Sequence, residues 1–270
     1  MVVFNIIAFG ILAIAVAYPQ APIVGRSFDR VLLLETKGET SASVSLGDID
    51  GDGDLDVILA KGRHWPLVDL VLRNDGKGHF STEKLSETAD RTYSAALADL
   101  DGDGDLDIAV SNDRPDKKLI YRNDGKGHFT LTSEFGDPTW STRYITVADL
   151  NGDRRPDILV ANRSSKPELT RPSFYCLNDG KGAFPQCTQL PTESATIIVA
   201  ADLDGDGFVD LLIPHRDGGQ SLAFWNDGKA NFSAPMAFGP ERSSIRAAAV
   251  SYTHLRAHET KANLVCRLLL

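Results

Sequence analysis

Two short motifs recur along the chain in step with each other, and this repeat constrains the fold more than any other feature. An acidic motif, Asp-x-Asp-Gly-Asp in its commonest form and closed by a further aspartate, occupies residues 48–56, 99–107, 149–157 and 202–210. A second motif, Asn-Asp-Gly-Lys-x-x-Phe, follows it at 74–80, 123–129, 178–184 and 226–232. Successive acidic motifs start 50 to 53 residues apart. That period predicts one supersecondary unit repeated along the chain.

Each repeat contains four strand-like segments. A small, β-prone stretch such as Tyr93–Ala98 precedes the acidic motif, and an apolar run such as Ile158–Val160 follows it. A third strand leads into the second motif, and a fourth begins at its phenylalanine. Asn-Asp-Gly between strand-like runs indicates a hairpin, because glycine accepts the positive φ of the turn. The sequence therefore predicts an all-β fold of four-stranded β-propeller blades.

The N-terminus predicts export from the cytosol. Residues 2–17 are almost wholly apolar and end in Ala15-Val16-Ala17, the small-x-small form of a signal-peptidase site. We predict a signal peptide at 1–17 and no membrane span after its cleavage, because the run is short for a span. An uncleaved anchor is the alternative, since no Lys or Arg lies near Met1. Either way we expect a secreted, extracellular or cell-surface protein, or a periplasmic one in a bacterium.

The phase of the repeat indicates an incomplete ring. Phe28–Glu35 has the position of a fourth strand without its first three, and Ile245–Val250 has that of a first strand. We therefore expect four complete blades plus partial ones. Where a fifth acidic motif is due, residues 251–270 break the register and resemble a translated sequencing-adapter artefact. A natural C-terminal helix is the alternative for this tail.

The acidic motifs predict up to four Ca²⁺ sites. Aspartates at loop positions 1, 3, 5 and 9 converge if the chain curls around one point, and Ca²⁺ takes six to eight oxygen ligands. The candidate ligands are Asp48, Asp50, Asp52 and Asp56 with the Asp54 carbonyl; Asp99, Asp101, Asp103 and Asp107 with the Asp105 carbonyl; Asp149, Asn151, Asp153 and Asp157 with Arg155 in the carbonyl position; and Asp202, Asp204, Asp206 and Asp210 with the Phe208 carbonyl.

The third loop departs from the pattern. Asn151 removes one charge and Arg154 replaces the turn glycine, so we expect the weakest site at 149–157. Plain Asp/Gly-rich turns are the alternative for all four loops. Five carboxylates within residues 48–56 argue against that reading, because they repel one another unless a cation is present.

Together the two motifs resemble the FG-GAP-like (VCBS) repeats, to which the repeats of integrin α-subunit heads are related. The resemblance covers about residues 26–250. It implies a seven-bladed propeller with calcium in the hairpin between the first and second strands of a blade. It also implies that these metal loops are structural and lie on one face, in a secreted or cell-surface protein.

The remaining features bear on partners. The net charge of −9 argues against a nucleic-acid partner, which would require a basic surface. If calcium lies on one face, an extracellular protein or glycan would meet the opposite face, where loops carry Trp65 and Trp140. Ordinary loop packing is the alternative for both rings. Cys176 and Cys187 flank the third hairpin and either form a disulfide or remain free.

No catalytic or cofactor-binding residue is assigned. The chain has no nucleophile elbow, phosphate-binding loop or zinc pattern. We therefore predict a non-catalytic adhesion or binding module. The alternative is the propeller portion of an extracellular polysaccharide-acting enzyme, a lyase or hydrolase, because loop carboxylates can form an active site that sequence does not reveal.

Overall fold

The computed structural model describes residues 33–35, 37–163, 171–216 and 219–240. These residues form sixteen strands and no helix, and none of them therefore belongs to a helix that could span a membrane. The strands make four sheets, each a four-stranded antiparallel meander in chain order, here called blades 1 to 4. The prediction of four-stranded propeller blades is confirmed.

The strand bounds follow the repeat. Blade 1 contains β1 (Ser41–Gly47), β2 (Asp56–Lys61), β3 (Leu70–Asn74) and β4 (Phe80–Lys84). Blade 2 contains β5 (Thr92–Ala98), β6 (Asp107–Asn112), β7 (Lys118–Asn123) and β8 (Phe129–Phe135). Blade 3 contains β9 (Thr142–Ala148), β10 (Asp157–Asn162), β11 (Phe174–Leu177) and β12 (Gln186–Gln189). Blade 4 contains β13 (Val199–Ala201), β14 (Asp210–Ile213), β15 (Ser221–Phe224) and β16 (Met236–Phe238).

The apolar core lies between adjacent blades. Every residue of β10 is buried, because its two faces pack against different neighbours. Ile158 and Val160 join a cluster with blade 2, whereas Leu159 and Ala161 join one with blade 4. A strand covered on both faces has no solvent side, which explains why the second strands are continuous apolar runs.

The first strands lie side by side and are joined by side-chain hydrogen bonds. The Ser45 hydroxyl on β1 donates to the carbonyl of Ala95 on β5 at 2.7 Å. The Ser94 hydroxyl on β5 accepts from the amide of Ile145 on β9 at 3.0 Å. Small polar residues in the first strands therefore fasten each blade to the next.

The fourth strands differ from the prediction in blades 3 and 4. Phe80 and Phe129 begin β4 and β8, but β12 begins two residues after Phe184 and β16 four residues after Phe232. Proline immediately precedes both late strands, at 185 and 235. Proline lacks the amide that a ladder needs, so regular pairing starts after it. Across the third hairpin, Cys176 on β11 and Cys187 on β12 are paired in register and joined by a disulfide.

Several predicted features lie outside the described residues. They are the signal peptide at 1–17, most of the strand at Phe28–Glu35, the first strand of a fifth blade and the tail at 251–270. The four blades belong to a structural unit that begins at Lys37.

Candidate metal centres

Each acidic motif is the loop that connects the first and second strands of a blade. The first aspartate organises it: the Asp48 carboxylate accepts the amides of Gly51 at 2.8 Å and Gly53 at 3.0 Å. Both glycines have positive φ, 76° and 91°, which L-residues adopt only with strain. Asp99 and Asp202 hold the equivalent glycines of their loops in the same way. The chain thus curls as the ligand spacing predicts.

The last aspartate of each loop is buried and ties the loop to the second motif. Asp107 accepts the amide of Leu100 at 3.1 Å and that of Asn123 at 2.9 Å. Burial raises the pKa of Asp107 and of Asp157 to about 6, and it also raises the pKa of Asp210. Desolvation disfavours the charged form, and a cation at these loops would offset that cost.

Three of the four loops bring carboxylates together in a way that could hold a metal ion. In each, one oxygen from each of three aspartates lies within 4.8 Å of the others: Asp48, Asp50 and Asp56; Asp99, Asp101 and Asp107; Asp202, Asp204 and Asp206. The Oδ1 atom of Asp50 is buried and has no hydrogen-bond partner in the described part of the chain. Burial and the nearby carboxylates of Asp56 and Asp52 raise the pKa of Asp50. An orphaned, crowded carboxylate oxygen fits a cation site.

The third loop forms no such acidic group among the described residues. Asn151 donates its side-chain amide to Asp153 at 3.0 Å, which uses an oxygen that a metal would need. Arg154 stands where the other loops have glycine and adopts a φ of 67°. These differences follow from the same two substitutions that set this loop apart in the sequence.

The seventh loop residues, assigned to carbonyl ligation, direct their side chains elsewhere. The carboxylates of Asp54 and Asp105 lie against Gly76 and Gly125, the glycines of the second motif, and the Phe208 ring lies against Gly228. Arg155 lies against Gly180 in the third repeat. A Cβ at any of these glycines would overlap the side chain above it, so the second motif needs glycine for close approach as well as for its turn.

The asparagine of the second motif has a role that the sequence analysis missed. In blade 2, Asn123 donates from Nδ2 to Leu106 O in its own acidic loop at 3.1 Å and to Ile49 O in the loop of blade 1 at 2.7 Å. Asn178 reaches Leu100 O at 2.8 Å, and Asn226 reaches Leu150 O at 2.7 Å. These three residues, the asparagine bridges, connect consecutive acidic loops. The constant spacing between the two motifs is the sequence signal that could have indicated this role.

The arginine that precedes this asparagine in blades 1 and 2 contacts the following blade, whereas the asparagine bridges contact the preceding blade. Arg73 of blade 1 donates to Lys126 O at 3.1 Å and to Gly127 O at 2.7 Å in the second motif of blade 2. Arg122 of blade 2 donates to Lys181 O at 3.1 Å in that of blade 3 and pairs with Asp101 at 2.5 Å. The first two blade junctions are therefore clamped from both sides beside the acidic loops.

The two tryptophans assigned to the opposite face differ in environment. Trp140 stacks on Phe174 with ring centroids 4.0 Å apart, so its ring packs between blades 2 and 3. Trp65 is 69% exposed. The two rings do not form one surface patch, and only Trp65 offers an open aromatic face.

Buried titratable groups near that face are enclosed. Burial raises the pKa of Asp69 to about 7, yet its carboxylate already accepts from Lys61 N at 2.7 Å and Thr92 Oγ1 at 2.8 Å. Burial lowers the pKa of Lys118 to about 8, and its ammonium donates to the carbonyls of Asp137 and Trp140. Both groups hold loops together inside the protein.

Successive antiparallel four-stranded blades with an acidic loop at the same corner define a β-propeller repeat protein. A family described as FG-GAP-like repeat matches residues 48–110 and 108–160, a stretch that contains the first three acidic loops. No curated protein matches the chain.

One solved structure, with a TM-score of 0.50, shares the fold, and a second is similar over the same share of the chain. An Agrocybe aegerita lectin, described as recognising non-reducing terminal N-acetylglucosamine, is 24% identical with a TM-score of 0.50, and the alignment covers 71% of this chain and 50% of the lectin. The V. cholerae biofilm matrix protein Bap1 is 20% identical with a TM-score of 0.42, with 71% of this chain and 30% of Bap1 covered. The chain thus spans half or less of the length of these proteins.

Proposed function

We propose that this chain is the propeller portion of an extracellular, non-catalytic binding protein whose blades are stabilised by calcium. The observation that carries the proposal is the recurrence of an oxygen-only acidic cluster at the same loop of blades 1, 2 and 4. Calcium prefers many carboxylate and carbonyl oxygens, whereas magnesium retains more of its water. The ion would be structural, because each loop also fastens its blade to the next.

The ligand assignment is part of this proposal. Position 1, 3, 5 and 9 side chains and the position 7 carbonyl would hold Ca²⁺ in the loops 48–56, 99–107 and 202–210, with the weakest site at 149–157. Bound calcium would neutralise carboxylates that otherwise repel one another.

An extracellular protein or glycan is the proposed partner. FG-GAP-like repeats support an extracellular setting, and the Agrocybe aegerita lectin offers a glycan-binding precedent on this fold. The signal peptide and the adhesion or binding role belong to the same proposal. The polysaccharide-acting enzyme gains no support from Asp69, whose raised pKa is due to burial behind bonded neighbours.

Thermal unfolding with and without metal tests the proposal. We expect CaCl₂ to raise the Tm of the expressed chain by about 5 °C or more over EDTA, since ligand at 100 Kd stabilises by about 2.7 kcal/mol per site. MgCl₂ at equal concentration should have a smaller effect. Asp99→Asn should reduce the calcium response, whereas Glu87→Gln, the same charge change on an exposed side chain outside the acidic loops, should not. An unchanged Tm in EDTA would show that the loops are turns only.

A further inference from the structure

A short loop at the end of blade 1 opposite its acidic loop holds three exposed side chains in a fixed conformation. It connects β2 to β3 and presents Arg63, His64 and Trp65. Its backbone is bonded on both sides: Arg63 N donates to Thr92 O at 3.0 Å, and Leu67 exchanges two hydrogen bonds of 3.0 Å with Asp90. The loop is therefore fastened to blade 2.

The conformation of this loop is strained. Gly62 has a φ of 110°, and a Cβ there would lie 2.5 Å from Trp65 O and 2.6 Å from Asp90 O. Arg63 has a φ of 57°, unusual for a residue other than glycine. Such residues cost about 1–3 kcal/mol each and cluster at binding and catalytic sites. Arg63, His64 and Trp65 are all exposed to solvent in this conformation.

The exposed side chains form a patch with Tyr93 on β5. The Arg63 guanidinium lies 5.7 Å from the Tyr93 ring centroid, and no acceptor for it is found among the described residues. The Tyr93 hydroxyl lies 3.2 Å from Nδ1 of His64. Trp65 leaves 69% of its surface in water, although a tryptophan gains more from burial than almost any other residue.

Nearby charges leave Arg63 as the unpaired cation of the patch. The Arg143 guanidinium also lies over the Tyr93 ring, 4.2 Å from its centroid, but it pairs with Asp113 at 2.6 Å. Arg91 pairs with Asp116 at 3.0 Å. A guanidinium carries five donors in a planar fork that suits a carboxylate or sulfate.

We propose that this patch, Arg63, His64, Trp65 and Tyr93, binds an acidic saccharide. A pyranose ring stacks on Trp65, its carboxylate or sulfate faces Arg63, and its hydroxyls meet the His64 and Tyr93 pair. This proposal rests on the proposed function as a binding module and adds the ligand class and the site.

Titration calorimetry in CaCl₂ tests the assignment with the full chain. The probes are oligogalacturonate, a sulfated oligosaccharide and neutral cello-oligosaccharide of matched length. We expect the acidic probes to bind more tightly than the neutral one. Trp65→Ala should weaken all binding at least 10-fold, and Arg63→Gln should weaken only the acidic probes, by about 5- to 10-fold. The matched controls are Arg114→Gln, an exposed arginine on the corresponding loop of blade 2, and Leu131→Ala, an exposed apolar residue on β8.

The outcomes separate this site from the proposed function. Absence of saccharide binding, or binding unaffected by Trp65→Ala, overturns the site. Equal loss of neutral and acidic probes in Arg63→Gln overturns the acidic class. A protein ligand that requires Trp65, with no saccharide bound, also overturns the saccharide assignment. That result would still agree with the proposed function as a binding module. The calcium dependence of the Tm, measured on the same samples, fails or succeeds independently of all these results.

Discussion

At the residue scale, position 6 of the acidic loop separates the third loop from the other three. Gly53, Gly104 and Gly207 occupy it with φ between 91° and 98°. Arg154 occupies it in the third loop with a φ of 67°, beside an asparagine in place of an aspartate. The third loop therefore combines backbone strain with one missing ligand charge.

Restoring both positions should strengthen the third site. The variant Asn151→Asp with Arg154→Gly recovers a carboxylate and removes an L-residue from a positive φ. We expect calcium calorimetry to show a gain of about 10-fold or more in the affinity of the weakest site. The control, Asn151→Asp with Arg154→Lys, retains the strained backbone and should gain less. Equal gains in both variants would assign the whole effect to charge.

A second residue-scale effect concerns His215, which is 1% exposed and has no hydrogen-bond partner on either ring nitrogen among the residues that the structure describes. It has the position of Asn112 and Asn162, which accept from threonine hydroxyls, but Ala195 replaces that threonine in blade 4. Burial lowers the pKa of His215 to about 4. The folded state therefore holds the neutral imidazole.

This histidine should make the protein acid-sensitive. Its pKa is lower in the folded state than the unfolded value near 6.5, so stability is retained above pH 6.5 and lost as pH falls from 6.5 towards 4. The contribution of His215 should be about 2 kcal/mol smaller at pH 5 than at pH 7.5. Carboxylates with a raised pKa, such as Asp69, act in the opposite direction in the wild type and in His215→Asn alike, so the difference between the two proteins isolates the histidine. Urea unfolding at both pH values checks this, with His215→Asn as the reference because it cannot titrate. An identical pH dependence in both proteins would contradict the prediction.

At the element scale, the asparagine bridges hold successive blades together through main-chain carbonyls. Asn178 is 5% exposed and donates to Leu100 O in blade 2 and to Pro156 O in blade 3. Asn74, its counterpart in blade 1, is more exposed, and among the described residues its side-chain amide donates only to Leu55 O within its own blade. Comparing Asn74 with Asn178 therefore separates the contact within one blade from the contact between two blades.

Asn178→Ala should destabilise the protein more than Asn74→Ala. The first change removes the donor from a buried carbonyl on blade 2 and a partly buried one on blade 3, at about 1–3 kcal/mol for the buried group. The second breaks two exposed bonds, to Leu55 O and from Gly76 N, at about 1 kcal/mol or less each. Chemical denaturation of the calcium-loaded proteins gives both free energies of unfolding. Equal losses would mean that the asparagine acts only in its own hairpin.

Much of a blade could be predicted from sequence, because its determinants are local. The apolar run 158–160 predicted a strand that the structure extends to Asp157–Asn162, and the acidic spacing predicted the curl around Asp48. The bridge from Asn123 to Ile49 could not be predicted, because it spans 74 residues and depends on how two blades pack. The burial of His215 depends on packing in the same way. Local pattern thus identifies the candidate ligands, whereas packing decides which loops are connected.

At the scale of the whole molecule, the two ends of each blade do different work. The acidic loops, asparagine bridges and arginine clamps meet at one end, where charge is concentrated and consecutive blades are joined. The Arg63 to Trp65 loop lies at the other end of β2. Calcium would then stabilise the array without occupying the surface available to a ligand.

Calcium binding to one acidic loop should therefore be coupled to calcium binding to the next. Asn123 Nδ2 donates to Ile49 O, which lies between two candidate ligands of the first loop. The main-chain amide of Asn123 donates to Asp107 of the second loop. An ion that ordered the first loop would fix this carbonyl, and the bridge would transmit that order to the second loop. Coupling of this kind amounts to about 1–3 kcal/mol.

A mutant cycle measures that coupling. Calcium-dependent stabilisation is compared in the wild type, Asp48→Asn, Asp99→Asn and the double variant, with and without Asn123→Ala. We expect the losses to be non-additive by about 1 kcal/mol when Asn123 is present and additive when it is absent. Asp48→Asn combined with Asp202→Asn is the control, because none of the asparagine bridges joins those two loops, and it should be additive in both backgrounds. Additivity of the adjacent pair with Asn123 intact would show that each blade binds its ion independently.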